Sequence, residues 1–179
     1  GALVWAGVYV AAIAAACCPD ATVDSVVETA LRFADEPMRR EIGRAVDIAH
    51  KSPDWETMRD TFYTYYNGTG IPYAACYANE TVSKGLAVFV HAGGDARQAV
   101  IIGVNFGRDT DCLAATAGGL AGAYSGIGAL PDEWVRQVDE ATHANPYTNI
   151  PCTIQEHADG IYAALLARAN AMENLAHLL

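Results

Sequence analysis

Residues 105–112, Asn-Phe-Gly-Arg-Asp-Thr-Asp-Cys, place Asp109 and Asp111 two positions apart in a short polar stretch between apolar segments. Carboxylate oxygens are hard ligands suited to a divalent cation such as magnesium. On a regular helix, residues i and i+2 point to roughly opposite sides, so two aspartates serving one ion must sit in a non-helical turn. Asp111 would then lie near the positive end of the following helix. Spacing alone leaves a plainer reading open, with Asp111 as a helix N-cap and Asp109 as a turn residue.

The turn needs elements to hold it. Upstream, Ala99, Val100, Ile101 and Val104 form an apolar helical pattern that Asp95 can cap. Downstream, Ala114, Ala115, Ala117, Gly118, Gly119, Ala121, Gly122 and Ala123 form a run of very small residues. Glycine inside a helix costs roughly 1 kcal/mol relative to alanine, so close packing or a nearby ligand must offset Gly118, Gly119 and Gly122.

Taken together, residues 105–112, the small-residue helix after them and the later Pro131 and Trp134 resemble the C-terminal metal-binding signature of the ADP-ribosylglycohydrolase family. The resemblance is specific over about residues 79–135. It implies an all-α orthogonal helical bundle around two magnesium ions, with manganese in some members, and assigns Asp109 and Asp111 as metal ligands. Cys112 stands where the family usually has a metal-touching Thr or Ser, and a thiol is a softer, poorer partner for magnesium. Arg108 replaces a common Gly. Its guanidinium can meet a substrate phosphate or neutralise the acidic turn. Asn105 and Gly107 either line the substrate side of the turn or shape it.

The family's N-terminal half supplies a Thr-Asp-Asp metal triplet and an acidic residue near the reacting sugar, and this sequence has no match to either. Residues 1–179 therefore read as the C-terminal part of a single domain of that kind, to be completed by an N-terminal half that is a separate chain or a removed segment. No general acid or base is assigned. The implied reaction is metal-dependent removal of ADP-ribose from a modified acceptor. The alternatives are a catalytically silent binding or assembly module of the same fold, and a related hydrolase acting on another ribosyl substrate.

Composition sets the wider bounds. A hydrophobic fraction of 52 % with 18 % charged residues is that of a packed globular chain. The net charge of −10 argues against nucleic-acid backbone binding, which needs clustered Lys and Arg. Five cysteines, an odd number without a CxxC, favour a reducing, cytoplasmic setting. His50, His91, His143, His157 and His177 show no metal-ligand spacing and read as surface or cap residues. Residues 1–19 carry no charge until Asp20, yet they are rich in Ala and Gly without a basic flank. The expectation is a core helix buried on all sides, neither a membrane span nor a signal peptide.

Helical periodicity runs through the rest of the chain. Val23, Val26, Val27, Ala30 and Leu31 give one apolar face, with a break at Asp35-Glu36. Pro37 suits the first turn of a new helix, Ser52-Pro53 ends it, and Asp54 caps the next. There Trp55, Met58, Phe62 and Tyr65 form a core stripe. Residues 67–73, with two glycines and a proline, are expected to be a loop. A helix is predicted from about Asn79 to His91, another opens at Pro131-Asp132, and Ile154, Ala158, Ile161 and Leu165 mark the last.

Overall fold

The computed structural model describes residues 1–66, 77–147 and 152–176. It is all-α, as expected: nine α-helices and one short 3-10 turn, with no strand among the described residues. The helices are α1 (Ala2–Ala16), α2 (Val23–Phe33), α3 (Glu36–Lys51), α4 (Trp55–Thr64), α5 (Ala78–His91), α6 (Ala96–Asn105), α7 (Thr110–Ser125), α8 (Asp132–Ala144) and α9 (Ile154–Ala176). They group into two compact units, Gly1–Ala129 and Leu130–Leu179.

Local chemistry starts the helices where the sequence predicts. Asp35, Asp54 and Asp95 each accept a hydrogen bond from the backbone N–H three residues on, at 3.0, 2.7 and 2.7 Å. Each satisfies one of the donors that a helix start leaves without an intrahelical partner. Thr22 and Ser25 bond reciprocally at the start of α2. Pro37 lies in the first turn of α3, and Pro131 is the N-cap of α8.

In the first unit, α5 packs against α3 and α7, α6 runs along α7, and α1 packs on α2 and α7. Its core holds Met58, Phe62, Tyr66, Leu86, Phe89, Phe106, Leu113 and Leu120. Of the predicted aromatic stripe, Met58 and Phe62 are buried, while Trp55 and Tyr65 lie nearer the surface beneath the guanidinium groups of Arg59 and Arg44.

Helix α1 departs from the sequence expectation. Trp5, Val8, Ala12 and Ala16 are buried, but Leu3 is 88 % and Val10 63 % exposed. A single stripe faces α2 and α7, so the helix is not buried on all sides. No helix among the described residues is long and apolar enough to cross a membrane.

The small residues act as predicted, but unevenly. A Cβ at Gly103 would sit 2.6 Å from Ala114 Cα, and one at Gly85 would sit 2.6 Å from Thr116 Cγ2. At Gly118 it would meet Val100 Cγ2 at 2.7 Å and at Gly119 the Tyr9 hydroxyl at 2.9 Å, whereas Gly122 has nothing within 4 Å. Close approach thus accounts for the absence of side chains along α5, α6 and the middle of α7, and Gly122 remains unexplained by contact.

In the second unit, Ile154 N donates to Asp139 Oδ1 at 2.9 Å, tying the start of α9 to α8. The final helix is present as expected, with Ile161 and Leu165 exposed. The expected loop at 67–73 falls outside the described residues.

Candidate metal centre

Helix α6 hands over to α7 through a tight turn. Phe106 closes α6 with its ring buried, Gly107 and Arg108 take positive φ values of 84° and 61°, and Asp109 is the N-cap residue of α7. Gly107 adopts such a conformation readily, while an L-residue such as Arg108 does so at a cost of about 1 kcal/mol.

Both aspartates were expected in a non-helical turn, but only Asp109 is. Asp111 belongs to the first turn of α7. They converge nonetheless, because the non-helical φ and ψ of Asp109, −88° and 71°, break the helical geometry between them. One carboxylate oxygen from each and Cys112 Sγ lie within 4.8 Å of one another. Asp109 makes no side-chain capping bond, so occupying the cap position does not explain its carboxylate.

Asp109 Oδ2 is fully buried without a hydrogen-bond partner. An acceptor left this way loses its hydration for nothing in return unless a cation meets it. The Asp111 carboxyl is held below its ordinary range, first by its hydrogen bond with Asp109 and then by the backbone amides of Cys112 and Asp111. The residues present therefore fit a hard divalent cation: two carboxylates at a helix N-terminus, one with a buried oxygen lacking a partner. The exposed Cys112 thiol suits such a cation less well.

Beneath the turn lies a buried charged cluster that the sequence reading did not identify. Glu80, Ser83 and Lys84 are the buried polar side chains among the described residues. Arg108 Nε donates to Glu80 Oε1 at 2.6 Å and Nη2 to Oε2 at 3.0 Å, a fork-to-fork pair. Lys84 Nζ donates to the same Oε1 at 2.5 Å and faces the rings of Phe62, Tyr66 and Phe106 at 5.9, 5.1 and 5.7 Å. Burial lowers the pKa of Lys84, against which Glu80 works. Tyr66 extends the network through its hydroxyl to Glu41 and Ser83, and burial together with Glu41 pushes its phenol above the ordinary value. A small cleft lined by Glu80, Thr81, Lys84, Gly107, Asp109 and Leu113 joins this cluster to the turn.

The other predicted positions separate. Asn105 is exposed, and its Nδ2 donates to Ile101 O at 2.8 Å on its own helix. Gly107 lines the cleft. Among the histidines, His143 Nδ1 contacts Asp139 O at 2.8 Å, and His157 Nδ1 lies 2.7 Å from Cys152 Sγ, a pairing the spacing did not announce.

The sequence profile of the ADP-ribosylglycohydrolase family matches residues 1–172. The chain belongs to that family. An ADP-ribosylarginine hydrolase, Tri1, from Pseudomonas putida strain GB-1 is 44 % identical over 45 residues. That stretch covers 25 % of this chain and 12 % of the relative. No solved structure matches the chain.

In this ADP-ribosylglycohydrolase chain, the one signal for the buried cluster lay in α5. Glu80 and Lys84 are opposite charges at i and i+4 just ahead of the apolar run Leu86–Val90, the spacing of an ion pair along one face. Nothing local signalled that Arg108 would join them.

Proposed function

We propose that Asp109 and Asp111 hold a divalent cation, magnesium or manganese, for the removal of ADP-ribose from a modified acceptor. The observation that carries this reading is the buried, partnerless Asp109 Oδ2 beside Asp111 at the start of α7. Such an ion, when bound, would supply positive charge to orient sugar hydroxyls and acidify a water. The chain's own share is to present two carboxyl groups at one point, with α7's N-terminal dipole behind them, Glu80 and Lys84 buried beneath and Arg108 half-buried beside them. Asn105, exposed at the end of α6, and Gly107 would meet substrate on the side of the turn.

A second ion and the acid–base group would come from an N-terminal helical half that completes the domain. The exposed thiols of Cys17, Cys18 and Cys112 accord with a reducing, cytoplasmic setting. The named activity of the Pseudomonas putida relative makes ADP-ribosylated arginine the first substrate to try. The test is release of ADP-ribose from an ADP-ribosylated arginine peptide by this chain assembled with such an N-terminal half. Release that requires magnesium and disappears in Asp109→Ala supports the reading.

Cys112 favours a second reading, a silent module that keeps the fold for binding or assembly. Magnesium-independent inactivity of the complete assembly on arginine and other ADP-ribosyl substrates would establish it.

A further inference from the structure

We propose that Arg108, through its forked pair with Glu80, is a positioning residue that preforms the Asp109–Asp111 turn before a cation arrives. The inference rests on the metal reading given above. Asp109 and Asp111 bring one carboxylate oxygen each within 4.8 Å through an irregular turn, and a turn that must keep that geometry without a cation needs a separate restraint. Arg108 adopts a left-handed backbone, φ 61°, that glycine would take without strain, so something must hold an arginine there. Both arms of its contact are short, and Glu80 is rigidly placed, 3 % exposed on α5 and tied also to Lys84. Arg108 immediately precedes Asp109, so fixing its side chain fixes the backbone that aims the Asp109 carboxylate into the cleft shared with Glu80 and Lys84.

The role proposed is positional and distinct from neutralising the acidic turn: Nε and Nη2 of the guanidinium both donate to Glu80. Nor does it require Arg108 to touch substrate. Residues that orient metal-binding groups from behind typically change affinity by about 10- to 100-fold when lost.

The test is a manganese titration of the 179-residue chain followed by electron paramagnetic resonance, comparing the parent, Arg108→Gly, Arg108→Lys and Asp109→Ala. Arg108→Gly leaves Glu80 its Lys84 partner and relieves the strained φ, so it should fold, which circular dichroism checks. Expected are manganese binding by the parent, loss in Asp109→Ala, an affinity about tenfold weaker in Arg108→Gly, and incomplete rescue by Arg108→Lys, which keeps charge but not the fork. Arg108→Gly binding within twofold of the parent overturns this inference and leaves the metal reading standing. A parent that binds no manganese, indistinguishable from Asp109→Ala, overturns the metal reading and this inference with it.

Discussion

Gly103 on α6 faces Ala114 on α7 so closely that a Cβ at position 103 would lie 2.6 Å from the Ala114 Cα. Backbone cannot yield there as a flexible side chain can. Gly103→Ala should therefore destabilise the protein by about 1–3 kcal/mol, as overpacking does. Gly122→Ala, where nothing lies within 4 Å, should stabilise by about 0.5–1 kcal/mol. Urea unfolding of the two variants checks the contrast, and equal effects would mean that α6 and α7 do not approach as described.

Lys84 gives a pH signature. Burial lowers its folded pKa from the ordinary 10.5, so between the lowered value and 10.5 the unfolded chain binds more protons than the folded one. Stability from this group rises with pH across that window, is complete above it, and is lost as pH falls through the folded pKa. The parent should gain stability relative to Lys84→Met as pH rises toward 10.5, measured by urea unfolding. A flat difference would mean that Lys84 is solvated.

Cys112 tunes the choice of metal. Its Sγ lies within 4.8 Å of both carboxylates, so a soft ion such as cadmium should bind the parent better than Cys112→Thr, while magnesium shows the reverse, each by several-fold. Calorimetric titration of both ions into both proteins reads the crossover. Identical cadmium affinities would remove Cys112 from the site.

Much of the fold is legible in sequence because helix boundaries depend on local chemistry. Asp35, Asp54 and Asp95 cap three residues downstream, and Pro37 and Pro131 open helices wherever the rest of the chain lies. The Asp109–Asp111 pair is legible for a similar reason, since turn and ligands occupy one short segment. The Arg108–Glu80 contact was not, because it spans 28 residues and exists only once α5 packs against α7. Exposure along α1 was hidden too: its residues are apolar on every side apart from the Tyr9 hydroxyl, so there is almost no polar face from which to read which side meets solvent.

Tyr66 ties three elements, with its hydroxyl on Glu41 of α3 and Ser83 of α5. Tyr66→Phe leaves the half-buried Glu41 Oε1 short of its donor and should cost about 1–3 kcal/mol. Loss well below that range in chemical unfolding would place water in this network.

The most direct test of the metal assignment is thermal melting of the parent and Asp109→Asn, each with and without magnesium. If Asp109 is kept for a cation, removing its charge beside Asp111 should leave the metal-free melting temperature unchanged or higher, while magnesium raises that of the parent alone. A variant that melts lower without metal and is still raised by magnesium as much as the parent would contradict the account.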